Sequence, residues 1–465
     1  MDTRVTAVIL AAGLGTRMKS RRAKVLHEAG GKTLIEHTVN AALSITSPER
    51  VFVVVGHQAD EVQSIVASRG VRFIQQAEQK GTGHAVMIGR ESLAPLGGLL
   101  VIYYGDCPLI PASVLQTLVD RQKNSGAAAT LVSAEFDDPT GYGRVVRDGE
   151  GHVQAVIEQK AGTPEQLAIR EVNVGIYCFR ADLFWKYVDE VQPNNPAREY
   201  YLTDMIEILK RTGHTIDAYR ASHRGELLGI NNRVELAAAD CAFRERKIRD
   251  LMLEGVTVEK PETVTVDDGV LMGMDTVIEP FAQILGSTKI GEGCRIGACS
   301  IGRDSELADG VEVGPFTMIA NSRVAAGAHV GPYSRLRMES EIGPGARVGN
   351  FVELKKTRLG ENAKAMHLAY LGDSMIGAAV NIGAGTITCN YDGRTKSKTK
   401  IGKGVFVGSN STLVAPVEIG EGAYLAAGSV ITESVPTDAL ALGRARQVVK
   451  KDWARKRREN AGMKP

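Results

Sequence analysis

Between positions 284 and 431 an aliphatic residue, usually followed by glycine, returns about every six residues: Ile290-Gly291, Ile296-Gly297, Ile342-Gly343, Val348-Gly349, Ile382-Gly383, Val407-Gly408 and Ile419-Gly420 are examples. Helices repeat every 3.6 residues and half-buried strands every two, so this period suits neither alone. It suits a parallel β-helix, in which each coil lays down short strands and turns its corners at fixed intervals. Each aliphatic residue then faces one continuous core, and the small residue beside it eases the corner. The pattern predicts a rigid prism on whose surface any site must be built. Five-residue steps, such as Leu354 to Leu359 and Leu371 to Ile376, interrupt the phase, and 389–400 is a longer insertion, polar and cationic. Insertions in solenoids become loops on one face; this one is either functional or decoration.

The first half alternates buried strands with helical segments. Val5–Leu10, Val51–Val55 and 99–103 are apolar runs, and 34–43 reads as a helix. This βαβα order predicts an open parallel sheet with ligands at the carboxyl ends of its strands. Residues 233–254 read as a linker helix, or else as the last helix of the first domain, with Gly255 as a stop. The expected division is 1–232, an α/β Rossmann-like domain; 233–254, the linker; and 255–465, the β-helix with a basic tail. The 465 residues exceed what one core supports.

A net charge of +2 gives no global case for nucleic acid. The cations that do cluster run from Arg444 to Arg458. They form a solvated tail, or one whose first arginine touches a phosphate. Six scattered cysteines show no zinc spacing, which predicts free thiols in a reducing compartment. Met1-Asp2-Thr3-Arg4 leads straight into a strand without the apolar core of a signal peptide. No apolar stretch is long enough for a bilayer. These features together predict a cytoplasmic protein with no membrane partner.

Two strand ends carry chemistry. The turn Leu10-Ala11-Ala12-Gly13-Leu14-Gly15-Thr16-Arg17-Met18-Lys19-Ser20 lets backbone N–H groups approach phosphate oxygens. It lacks the last glycine of a Walker loop and the third glycine of a dinucleotide fingerprint. Arg17 and Lys24 add two cations able to neutralise a polyphosphate. Asp106, ending the strand in Tyr104-Gly105-Asp106, is a hard oxygen ligand suited to magnesium, or alternatively a turn aspartate.

With Gln76-Ala77-Glu78-Gln79-Lys80-Gly81-Thr82-Gly83, Gly141-Tyr142-Gly143-Arg144, Glu171-Val172-Asn173-Val174-Gly175 and Gly229-Ile230-Asn231-Asn232, these motifs resemble the nucleoside-diphosphate-sugar pyrophosphorylases. With the repeats, the whole chain resembles the bacterial bifunctional N-acetylglucosamine-1-phosphate uridylyltransferase/glucosamine-1-phosphate N-acetyltransferases. That resemblance implies a UDP-N-acetylglucosamine-making enzyme that supplies cell-wall precursors. Leu10, Ala11, Ala12, Gly13, Gln76, Gly81, Thr82, Tyr104 and Gly105 would hold UTP, with Gln76 reading the uracil edge. Gly143, Glu158 and Asn173 would hold the sugar. Asp106 and Asn231 would bind Mg²⁺, and Arg17 and Lys24 the phosphates. The family's usual proline before the lysine is Ala23 here, which predicts a looser loop.

The repeats contain a second polar set. His367 lies two residues past the inward Ala365, so it sits on the coil surface, and its imidazole suits a base that deprotonates an amine during acyl transfer. Glu353, fourteen residues earlier, is expected to orient the ring from a neighbouring coil of about eighteen residues. The resemblance makes His367 the base, gives glucosamine 1-phosphate to Arg337, Lys355, Tyr370, Asn381 and Lys396, and gives acetyl-CoA to Ala384, Asn390, Tyr391, Ser409, Ala427 and Arg444. It further implies a left-handed β-helix assembled as a homotrimer. A single-activity nucleotidyltransferase with a scaffold coil would have no reason to carry His367 and its polar set. A non-catalytic scaffold would not keep Arg17, Lys24 and Asp106.

Overall fold

The computed structural model describes residues 3–222, 227 and 229–461. The first two residues, part of the start judged to lack a leader, lie outside this set. The chain divides into two compact units, 1–244 and 245–465, the boundary falling within the helix Arg233–Leu253.

In the first unit the strands β1 (Val5–Leu10), β2 (Val51–Val55), β3 (Arg72–Gln75) and β4 (Leu99–Tyr104) are mutually parallel, ordered β4-β1-β2-β3. β1, β2 and β4 are apolar on both faces because helices cover both. Among these helices α1 (Leu34–Leu43) opens with a capping box between Thr33 and Glu36, and α2 (Ala59–Val66) follows β2. The wholly parallel sheet expected from the sequence is corrected on the other side of β4. There β5 (Ala129–Glu135) and β6 (Gly143–Arg147) flank β7 (Glu171–Arg180), which runs antiparallel to β4, β5 and β6. Apolar runs report burial on two faces and not direction, so the sequence pattern was blind to this reversal. β7 carries Asn173 and Gly175 to the rim of β4. Gly175 has φ +79°, and a Cβ there would collide with the Tyr104 ring. Only glycine allows the two strands to meet.

The second unit is a three-sided coil. Parallel strands of two to four residues stack in three sheets, each pairing with the strand one coil on. Arg335, Glu353 and Tyr370 are successive partners, so a coil takes 17 or 18 residues. Ile290, Ile296, Val407 and Leu413 are buried as the six-residue phase requires. Coiling begins at Thr257–Val258, which pairs with Val277–Ile278, well before the phase is legible. Glu259 and Asp267 stand there where glycine follows the aliphatic residue elsewhere, so half of the signal is missing. One outward column reads Lys289, Glu306, Arg323, Glu341, Arg358, with Arg323–Glu306 at 3.4 Å and Arg358–Glu341 at 2.7 Å. Opposite charges on neighbouring strands satisfy one another there, and the face is solvated. The insertion projects as a loop. Asp392 accepts backbone N–H bonds from Arg394 (2.8 Å) and Thr395 (2.7 Å), and those bonds hold its carboxyl down at about 2.

Candidate active sites

The carboxyl ends of β1, β3 and β4 converge on a cleft of about 450 Å³. Of the residues singled out from the sequence, the β1 turn from Leu10 to Gly13 lines it, with Arg17, Lys24, Gln76, Gly81, Thr82, Tyr104, Asp106 and Asn231. The sequence reading did not assign Gln79 and Glu199, which also line it. Gly105 lies just beneath, packed within 3.1 Å of Ala11 at the position a Cβ would take.

The cations and oxygens of the cleft are already paired. Lys24 makes a salt bridge to Asp106, and its Nζ lies 3.3 Å from Asn231 Oδ1. Arg17 donates to the same Oδ1 at 2.7 Å. Asn231 Nδ2 donates to Gly229 O at 3.1 Å, which aims the amide oxygen at the cations. Gln76 is buried, and its Nε2 reaches Gly81 O at 3.3 Å and His84 Nδ1 at 3.0 Å. Burial and the nearby Lys80 lower the His84 pKa, so its ring is neutral and accepts. Nε2 of Gln76 is thereby spent within the protein, and Oε1 is the atom left for a donor on a ligand.

Gly143, Glu158 and Asn173 do not line this cleft but are tied to it. Gly143 pairs with Asn173 across β6 and β7. Asn173 donates to the Tyr177 hydroxyl at 2.6 Å. Glu158 accepts from Thr203 Oγ1 at 3.2 Å, the neighbouring Leu202 N–H donates to Thr82 Oγ1 at 3.1 Å, and Thr82 bonds the Tyr104 hydroxyl. Burial raises the Glu158 carboxyl above its ordinary range. A buried carboxyl seeks donors, as sugar hydroxyls are.

On the coil the structure corrects one expectation. Glu353 does not meet His367: its register partner is Tyr370, and it accepts from Arg337 Nε at 2.6 Å. With 17 residues to a coil, the residue opposite His367 is Asn350, whose Oδ1 lies 3.1 Å from His367 Nδ1. An amide oxygen only accepts, so Nδ1 carries the proton and Nε2 the lone pair. Asn350 is thus the ring's orienting partner, legible only once the coil length is known.

Arg337 and Lys355 are adjacent across neighbouring coils, with Gly372 next in the column. Tyr370 Oη and Asn390 Nδ2 fill the space a side chain at Gly372 would take. Lys355 is buried and pairs with Asp373 at 3.1 Å, and Asn390 bonds the same carboxylate. Lys396, from the projecting loop, lies close to Lys355, and that neighbouring charge lowers the Lys396 pKa. Two ammonium groups beside one carboxylate leave a positive excess that a phosphate dianion would satisfy. Asn381 heads the next coil on the face of Lys364, its partner. Ala384, Ser409 and Ala427 stack on successive coils at one corner, joined through Asn410 N–H to Ala384 O (2.7 Å) and Gly428 N–H to Ser409 O (2.8 Å). Arg444 lies beside Gly428 at the end of that stack, and Tyr391 is exposed on the loop.

The MobA-like NTP transferase domain matches residues 7–171, and the bacterial transferase hexapeptide (six repeats) matches 269–301 and 398–433. "Bifunctional protein GlmU" of Solibacter usitatus is 62% identical over 461 residues, covering 99% of each chain. The chain belongs to the GlmU family. Two further GlmU proteins, from Koribacter versatilis and Shouchella clausii, are 49% and 44% identical, each over 97% of this chain and covering 96% and 98% of their own. As a member of this family the chain is a bifunctional enzyme, a nucleotidyltransferase in its first unit and a transferase on a left-handed parallel β-helix in its second. Among the described residues no helix is long and apolar enough to cross a membrane.

Proposed function

We propose that the coil transfers the acetyl group of acetyl-CoA to glucosamine 1-phosphate, and that the first unit joins the resulting N-acetylglucosamine 1-phosphate to UTP. Pyrophosphate leaves, and the product, UDP-N-acetylglucosamine, feeds cell-wall synthesis. The observation that carries this reading is the contrast between the two sites. The first is a glycine turn with cations and hard oxygens and no nucleophile–base pair, and the second holds a free imidazole nitrogen beside an anion-binding group.

In the first site the nucleophile is a phosphate oxygen, already anionic, so no strong base is needed. Alignment and charge neutralisation supply the catalysis. Arg17 and Lys24 are the groups that meet the triphosphate, and Gln76 Oε1 accepts from the uracil N–H. Asp106 and Asn231 suit Mg²⁺: both offer hard oxygens, and the Lys24 ammonium lies against each. Bound there, Mg²⁺ would neutralise phosphate charge.

On the coil, His367 Nε2 takes a proton from the amine of glucosamine 1-phosphate as nitrogen attacks the thioester carbonyl, and the coenzyme A thiolate leaves. Arg337, Lys355 and Lys396 hold the sugar phosphate, with Tyr370 and Asn381 beside it. The corner of Ala384, Ser409 and Ala427 presents backbone to the pantetheine arm, flanked by Asn390, Tyr391 and Arg444. We read the coil as a homotrimer. Phe316, Tyr333 and Phe351 stack at 5.0 and 5.5 Å on one corner while about half exposed, an apolar ridge that a neighbouring copy would cover. A cytoplasmic location suits its free cysteines and its cosubstrates.

Product analysis of the full chain tests this reading. Given glucosamine 1-phosphate, acetyl-CoA, UTP and Mg²⁺, an Asp106→Ala variant should stop at N-acetylglucosamine 1-phosphate. A His367→Ala variant should convert that intermediate when supplied but fail to make it. Equal loss of both steps in either variant contradicts the division.

A further inference from the structure

Lys24 follows four exposed residues, 19–22, yet its own stem is packed: Gly15, at φ +61°, would place a Cβ 2.7 Å from Lys24 Cβ. The transition from solvated run to packed lysine happens at Ala23, which is 2% exposed with φ −56° and ψ 142°. Its N–H donates to the side-chain oxygen of Gln58, which stands in the left-handed region (φ 53°) at the start of α2. The other end of the Gln58 amide reaches Glu61 Oε1 at 3.2 Å. The tether therefore runs from the start of α2 to the residue before the phosphate-binding lysine.

The angles of Ala23 are those proline adopts unaided. Alanine rotates freely, and a buried N–H without an acceptor is costly. A side-chain acceptor supplied from α2 solves both problems. We infer that Gln58 is a positioning residue for nucleotidyl transfer: it fixes the backbone at Ala23 and so delivers the Lys24 ammonium to the phosphates. The loop is held, contrary to the looseness expected from Ala23. The inference rests on the reading of Lys24 as a phosphate-binding lysine.

The test is a cycle in the full-length enzyme, read as kcat/KM for UTP in pyrophosphate release, with acetyl transfer and thermal melting as controls of folding. Gln58→Ala should lower kcat/KM on the order of 5-fold, the effect of one lost hydrogen bond. In an Ala23→Pro background, where no N–H remains and φ is fixed, the same change should have less than about a twofold effect. Gln58→Glu, which keeps an accepting oxygen, should retain activity that Gln58→Leu loses. Equal losses for Gln58→Ala in both backgrounds would overturn the inference by making Gln58 a support of α2 alone. So would an inert Gln58→Ala in an enzyme that Lys24→Ala disables. A fully active Lys24→Ala would instead refute the reading of Lys24 itself, and the inference with it.

Discussion

His367→Ala removes the only imidazole that the coil brings to the polar set, and loss of a general base costs roughly 10²–10⁴ in rate. The sharper experiment concerns its partner. Asn350 Oδ1 accepts from the ring at 3.1 Å on an exposed surface, a neutral hydrogen bond of about 1 kcal/mol net, or about fivefold in rate. Asn350→Ala should therefore lower the kcat of acetyl transfer about fivefold, followed as thiol release from acetyl-CoA. Pyrophosphate release should be untouched. Because Asn350 acts only through the ring, the same substitution in a His367→Ala background should cost nothing more, so that the coupling equals the whole single-variant effect. Glu353→Gln provides the contrast. Glu353 holds Arg337 at 2.6 Å, so its loss should raise the KM for glucosamine 1-phosphate and should do so with or without His367. If Asn350→Ala is equally harmful in both backgrounds, or if Glu353→Gln becomes silent without His367, the assignment of the ring's partner is refuted and the carboxylate regains that role.

Asp106→Ala should abolish the response of pyrophosphate release to added Mg²⁺ while acetyl transfer continues; an unchanged magnesium titration would remove Asp106 from the site. The Lys396 ammonium is pushed down by Lys355, so its grip on a phosphate is lost on raising pH earlier than for an ordinary lysine. Lys355→Gln removes the cause and should move the alkaline rise in KM for glucosamine 1-phosphate to higher pH, whatever it does to the KM plateau. The Glu171 carboxyl is raised by burial, but hydrogen bonds from Arg147, Ser133 and Arg220 outweigh this and hold it at about 2. Its folded value lies below its unfolded one, so it contributes stability that is present above the unfolded value and is lost as pH falls toward 2. Glu171→Gln should flatten that acid limb in urea unfolding followed by Trp185 fluorescence in a Trp453→Phe background; an unchanged limb refutes the linkage. Removing the tail from Arg444 should raise the KM for acetyl-CoA with kcat preserved.

What the sequence disclosed depended on how local each signal is. The coil announced itself because every turn repeats one demand, an aliphatic residue inside with a small one beside it. Where Glu259 and Asp267 replace glycine the demand is still met by the fold, but the written period fades. The phosphate turn and Asp106 were legible because a parallel strand delivers its end to the ligand, so that residues adjacent in the chain are adjacent in the site. The reversal of β7 was not legible. Its run from Val172 to Phe179 is buried whichever way the strand points, and direction is decided by connection length and by whether Gly175 can pass Tyr104.

The coil's polar site was half legible, and the failure is instructive. Which residues face outward follows from the period, so His367 could be placed on the surface. Which of them meet depends on the length of each coil, and one residue more or fewer changes the partner. A five-residue step shortens the coil from Asn350 to His367 to seventeen residues, so a count of eighteen misses this pair, while Glu353 bonds Arg337 on the coil before it. Asn350 and His367 each stand two residues past a stacked inward residue, Val348 and Ala365, and that shared offset sets them opposite one another.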